Sequence, residues 1–238
     1  MASINALFVG VAETEISGVG GAGHRARPAT VFNSLLHNTL TMVQHNSLIG
    51  AQLAARGYYQ AFEAVKSSVA SVLANENPGR VVDEDHGGWY RELFAPSVAA
   101  GIVKPSDLAG YRSGRVFIRN SMHVPLTPNA VRDAMPVFFE MLEAEEHPAV
   151  RVVLGHFIFV YIHPYMDGNG RMGRFLMNVM MAAGSYPWTV IPVQRRADYM
   201  AALERASVHH DIVPFSRFLG ELTRQGMSGE TTAMLPAS

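Results

Sequence analysis

There is no cysteine anywhere in the 238-residue chain, which excludes disulfides and thiolate zinc sites and is compatible with a reducing compartment. An excess of one charge is also missing: 19 basic against 20 acidic residues leave a formal net charge of -1. No Lys/Arg run is present to follow a nucleic-acid backbone or an anionic membrane, so any anion site must be local. Long apolar runs are absent too. The longest, VVLGHFIFVYI, is too short to span a bilayer, and the N-terminal MASINALFVGVAETEISG lacks the basic stretch of a secretory leader. These absences lead us to expect a cytoplasmic chain with neither a nucleic-acid nor a membrane partner. Histidine is plentiful, but His-Glu-x-x-His is missing and the adjacent His209 and His210 would diverge on a helix, so no metal-ligand spacing emerges.

What is present reads as mainly helical. Residues 1–29 form an expected flexible extension. Gly18 to Gly23 fits G-x-G-x-x-G, but Pro28 follows closely and blocks an immediate helix, so a flexible loop is the reading rather than a dinucleotide site. Residues 30–84 form an N-terminal helical region, with Val31, Leu35, Leu36, Leu40 and Val43, then Phe62, Val65, Val69 and Leu73, recurring at three- and four-residue steps until NENPG stops the pattern. Residues 85–225 form the expected catalytic core and 226–238 a loosely ordered tail. Within the core, Thr127 and Pro128 suit an N-cap and first helical position, with a kink expected at Pro136 and an end near EEHP. GRVFIRNSMHVP favours a small β-hairpin, with Val116 to Ile118 and Met122 to Val124 as its arms about an Asn120-Ser121 turn. Apolar helical runs at Val150 to Ile162 and from Phe175 to Met181 flank one conspicuous stretch, HPYMDGNGRMGR.

That stretch carries the chemistry. Pro164 ends the preceding helix at His163 and so presents the imidazole at a helix exit. Gly168 and Gly170 allow backbone N–H groups to converge as an anion nest, and a helix starting near Asn169 adds the positive end of its dipole. Arg171 and Arg174 in its first turns oppose the dipole, a cost that makes sense if a polyanion lies between them. Asp167 is the carboxylate for Mg²⁺, and His163 the natural base. His156, two turns before His163, is expected to be buried and hydrogen-bonded.

The stretch resembles the Fic motif, H-P-F-x-D/E-G-N-G-R-x-x-R, with Tyr165 in the phenylalanine position. WYRELF, GYRSGRVFIRNSMHVPLTP and DYMAALERASVHHDIVPFSRFL extend the likeness over roughly residues 85–222. The resemblance implies a Fic-type helical bundle with a β-hairpin flap over the site, and transfer of AMP from ATP to a Ser, Thr or Tyr hydroxyl of a target protein. It implies that His163 is the base and that Asp167 holds Mg²⁺. Gly168, Asn169, Gly170 and Gly173 would contribute to phosphate binding, and Arg171 and Arg174 would bind the departing phosphates. Tyr199 would line the nucleobase pocket, Met122, His123, Val124 and Pro125 would border the nucleotide, and Tyr165 would anchor the loop. Met200 and Ser207 depart from a tyrosine and an asparagine often found at these positions.

Two other readings stay open: transfer of another phosphate-containing group such as UMP or a bare phosphoryl, and a noncatalytic interaction module. Many Fic proteins carry an inhibitory helix of pattern [S/T]-x-x-x-E-[G/N]. No glutamate here has Ser or Thr four residues before it. The nearest likeness, Asn46 to Ala51, puts Gly50 in the glutamate's place, or else Gly50 simply marks a helix end. In the first case a partner would supply the inhibitory glutamate. Delivery into another cell as an effector is a location that the sequence does not separate from the cytoplasm.

Overall fold

A computed structural model describes residues 48–229, which contain seven α-helices and two short 3₁₀ turns. The expectations placed on Gly18 to Gly23, on the helical pattern before residue 48 and on the tail beyond residue 229 lie outside the described residues.

Helix starts follow local chemistry. α1 covers Leu48–Leu73 and α2 Pro78–Ala99. NENPG separates them, with Asn75 at a positive φ of 69° and the Asn77 side chain accepting from the N–H groups of Gly79 (2.9 Å) and Arg80 (3.2 Å). α3, Pro128–Ala144, starts as expected with Pro128 in its first turn and Thr127 accepting from Ala130 at 3.4 Å. It runs on as one helix through Pro136, and α2 likewise contains Pro96. α4 covers Pro148–Ile162 and α5 Asn169–Ala183. After them come α6, Arg196–His209, and α7, Val213–Met227.

α4 and α5 form the centre. α4 packs against α3, α5, α6 and α7, while α5 packs against α1, α2 and α4. This is why α4 is apolar on nearly every face. Phe159, Phe175, Leu176, Met172, Met177 and Phe215 are essentially inaccessible to solvent. The two central helices approach closely at Gly173, where a Cβ would lie 2.8 Å from Val160 Cγ1.

The expected hairpin is only half present. Residues 118–121 turn as read, with Asn120 at φ 59° and Ser121 N–H donating to Ile118 O at 3.2 Å. The arms are extended, because exposed Phe117, Met122 and Val124 alternate with half-buried or buried Val116, Ile118, His123 and Pro125. No paired strand occurs among the described residues. Side chains occupy the groups that would form the ladder: Glu204 takes the Met122 N–H at 2.7 Å, and Arg112 takes the carbonyls of Gly114 and Leu126 at the roots. Pro125 has no N–H to give.

Candidate active site

α4 stops at His163, whose own backbone is left-handed (φ 56°, ψ 60°) and precedes Pro164. For a residue with a Cβ that conformation costs about 1–2 kcal/mol, so its surroundings must maintain it. Arg112 Nε donates to His163 O at 2.7 Å, and Arg112 N–H to Pro164 O at 2.9 Å. Beyond Pro164 the loop turns inward. Tyr165 is buried and stacks on Tyr90, with ring centroids 3.7 Å apart. Asn169 closes the loop from inside: its Oδ1 accepts from Tyr165 N–H and its Nδ2 donates to Tyr165 O, each at 2.8 Å. The side-chain amide of Asn169 is therefore turned into the loop, and what it offers an anion is its backbone N–H at the helix start. Gly168 reaches φ 80°, and a Cβ there would lie 3.1 Å from the Phe94 ring.

His163 is partly buried, and its Nδ1 lies 3.2 Å from Val160 O. A carbonyl only accepts, so Nδ1 carries the proton and Nε2 keeps its lone pair. Burial is the main cause that lowers the His163 pKa from its ordinary value. The Val160 hydrogen bond and Asp167 oppose that shift, while the charges of Arg112 and His123 add to it. At neutral pH the imidazole is thus an uncharged base.

A cavity of about 180 Å³ brings His163 and Gly170 together with Arg174, His123 and Tyr199. Met200, Ser207, Arg196 and Glu204 also border it. Of the four flap residues expected at the nucleotide, only His123 lines this space. Met122 and Val124 are 80% and 70% exposed and belong to the outer face. Gly173 lies behind the site, where its carbonyl accepts from His156 Nδ1 at 2.8 Å. His156 is buried as expected. Its Nε2 then accepts from the Tyr199 hydroxyl at 2.7 Å, and Tyr199 is in turn hydrogen-bonded by Arg174. Burial lowers the His156 pKa to about 4.

The two motif arginines point to different neighbours. Arg174 belongs to the cavity. Arg171 lies over the Phe94 ring at 5.2 Å and pairs with Asp167 at 3.2 Å. The Asp167 side chain is 76% exposed, with its other oxygen accepting from Gly168 N–H at 2.6 Å. Among the described residues no cluster of three or more His, Asp or Glu could hold a metal. A cation at Asp167 would need oxygen ligands from elsewhere, which suits Mg²⁺ carried with phosphates.

Gly50 is the third residue of α1. The α1 side chain that feels the charges of Arg174 and Arg171 is Tyr58, eight residues and about 12 Å further along the axis. Gly50 thus lies in the first turn of α1, about two turns before Tyr58.

Sequence reasoning missed Arg112, Glu204 and Arg196. The first two act on backbone groups far along the chain, and only their place within segments resembling the family marked them. A larger apolar groove of about 910 Å³, between α3, α4 and the α6–α7 turn, contains none of the expected site residues. No helix among the described residues is long and apolar enough to cross a membrane.

Comparison with known proteins agrees with this geometry. Residues 89–181 match the Fic/DOC family. The curated "Protein adenylyltransferase Fic" of Nematostella vectensis is 38% identical over 189 residues, which cover 78% of this chain and 39% of that protein. Its namesake in Drosophila melanogaster is 29% identical over 220 residues, covering 86% and 43%. The chain therefore spans about two fifths of the length of the curated relatives it matches. Among solved structures, Fic-1 (residues 134–508) from C. elegans superposes with a TM-score of 0.70 at 19% identity, over 96% of this chain and 72% of that one. A Fic domain containing signaling protein from Bacteroides thetaiotaomicron superposes with a TM-score of 0.58 at 14% identity, over 95% and 98%. With its helical core, its HPYMDGNGRMGR motif and these matches, residues 89–181 of the chain form a Fic/DOC family domain on a Fic-type fold.

Proposed function

We propose that this chain is a protein adenylyltransferase, moving AMP from ATP to a hydroxyl of a target protein. The observation that carries the reading is His163, whose Nδ1 is taken by Val160 O, leaving Nε2 to act, and which borders one cavity with Gly170 and Arg174. The target oxygen attacks the α-phosphorus, its proton passes to His163 Nε2, and the bond from the α-phosphorus to the bridging oxygen breaks to release pyrophosphate. The N–H groups of Asn169 and Gly170 in the first turn of α5 face the transferring phosphate, and Arg174 and Arg171 bind the leaving phosphates. Asp167 would hold Mg²⁺, which would supply charge neutralisation to the phosphates. The base occupies the side of the cavity bordered by Tyr199, Met200 and Ser207. The outer edge of the flap takes an extended segment of the target through its free backbone groups, with Phe117, Met122 and Val124 as apolar contacts.

The test uses ATP labelled at the α or the γ position with the protein and a lysate containing candidate targets. Label entering protein from the α position alone, and lost in His163→Ala by about 10²–10⁴-fold, is the expected result. Label from γ alone indicates phosphoryl transfer. Equal labelling by parent and His163→Ala removes the histidine from the base role.

A further inference from the structure

Arg112 is an arginine in the wrong kind of place for a surface charge. Its residue is 3% exposed, and among the described residues its side chain pairs with no carboxylate. Its guanidinium is instead shared among three carbonyl oxygens: Nε to His163 (2.7 Å), one terminal nitrogen to Gly114 (2.9 Å) and the other to Leu126. Its own N–H goes to Pro164 O. Gly114 and Leu126 are the two ends of the flap, and His163 is the residue whose left-handed backbone sets where the imidazole stands. One planar fork therefore meets the base and both flap roots at once. Burying a guanidinium against neutral acceptors is costly, and a purely structural closure of the flap would be met by a cross-strand hydrogen bond.

We propose that Arg112 is a positioning residue for transfer, whose guanidinium holds the flap and the backbone of His163 in one fixed register, so that a target segment laid on the flap brings its hydroxyl to the imidazole. The inference rests on the adenylyl-transfer reading for its catalytic meaning, but the coupling itself is measurable without activity. Lysine keeps the charge and loses the fork, and a single ammonium cannot reach three acceptors disposed in this way. Glutamine loses the charge and keeps two donors.

The experiment compares the parent chain with Arg112→Lys and Arg112→Gln by three measurements: amide hydrogen exchange across 113–127, NMR titration of the His163 imidazole, and steady-state transfer from α-labelled ATP. In Arg112→Lys, flap exchange should quicken and the His163 resonances should shift together. The kcat should fall by about 100-fold while KM for ATP changes by no more than about threefold, as displacement of a reacting group by an ångström predicts. In Arg112→Gln the His163 titration should also move up, because an opposing positive charge has gone. Faster flap exchange with unmoved His163 resonances would overturn the coupling and leave Arg112 a flap staple. A fall in kcat accompanied by an equal loss of ATP affinity and thermal stability would reduce it to a folding residue. If Arg112→Gln does not fold, Arg112→Lys alone decides. If the parent chain transfers nothing from α-labelled ATP, the adenylyl-transfer reading fails, while joint movement of the flap and His163 signals would still support the coupling.

Discussion

Two irregular segments border the cavity, and they are fixed in opposite ways. The loop from His163 to Gly168 is held from within: Tyr165 stacks on Tyr90 in the core, and the buried Asn169 amide satisfies both backbone groups of Tyr165. The flap, residues 113–127, is held by side chains at its roots, at its tip and, on its inner face, at His123, whose Nε2 lies 2.8 Å from Tyr161 O. Arg112 takes its roots, and Glu204 takes its tip through Ser121 Oγ (2.5 Å) and Met122 N–H (2.7 Å). Between these points its outer face is exposed. A segment tied into the core is kept in place, whereas one tied on its inner face alone leaves the apolar side chains of its outer face available to another chain. The difference matches the two tasks of the proposed transfer, one requiring rigidity and the other access.

The largest effect should come from cutting the inner tie of the loop. Asn169→Ala leaves the N–H and C=O of buried Tyr165 without partners, at about 1–3 kcal/mol each. Chemical denaturation should show a loss of several kcal/mol, with ATP binding weakened because the nest is no longer held. Stability within experimental error of the parent would mean that the Tyr165 stack alone fixes the loop.

A second effect sharpens the comparison through pH. His156, behind the loop, has its pKa lowered to about 4 by burial, against an ordinary value near 6.5. Between these values the unfolded chain binds the proton and the folded chain does not, so stability should be full above pH 6.5 and fall as pH drops towards 4. The whole decline is worth about 3 kcal/mol for this group. Urea melts at pH 4.5 and 7 would read it, and His156→Gln should flatten the difference. An unchanged slope in that variant would assign the pH dependence to other groups.

Glu204→Ala should do less to the fold and more to the flap. Burial alone would raise the Glu204 pKa, but the hydrogen bonds from Ser121 and Met122 outweigh it and the net shift is downward, so the carboxylate is charged when it holds the tip. Its loss should speed amide exchange at Met122 and reduce target labelling by about tenfold, the equivalent of one charged hydrogen bond at 1.5 kcal/mol, with thermal stability close to that of the parent. Unaltered exchange at Met122 would show that Arg112 and the His123–Tyr161 contact suffice to place the flap.

The loop was legible because its residues act locally. Pro164 ends α4, Gly168 permits the left-handed turn, and the spacing of Arg171 and Arg174 follows from the helix that Asn169 begins. Thr127 and Pro128 announced α3 for the same reason. The flap was legible only in outline. Alternation marked its extended arms and Asn120 its turn, but the absence of a ladder depends on Arg112 and Glu204, whose partners lie up to 83 residues away. No periodicity reveals that an arginine will cap carbonyls in place of a strand. Asn169 was half legible for a related reason: its backbone N–H at the helix start follows from the motif, while the inward turn of its side chain depends on how Tyr165 packs. Met122 and Val124 were placed at the nucleotide because their segment is near it, and the twofold alternation of an extended chain turns them outward.

A chain without cysteine keeps all its sulfur in 13 methionines, and the fold sorts those among the described residues by their reach to oxidants. Met135, Met172, Met177, Met180 and Met181 are sealed at 0% exposure, while Met122 on the flap and Met166 beside Asp167 are 80% and 54% exposed. Sulfoxide formation makes an apolar side chain polar. Mild peroxide should therefore mark Met122, Met141 and Met166 before any core methionine, as peptide mass spectrometry would show, and early sulfoxide at Met177 or Met180 would contradict the packing. Oxidative damage would then reach the proposed target-docking surface while the protein is still fully folded.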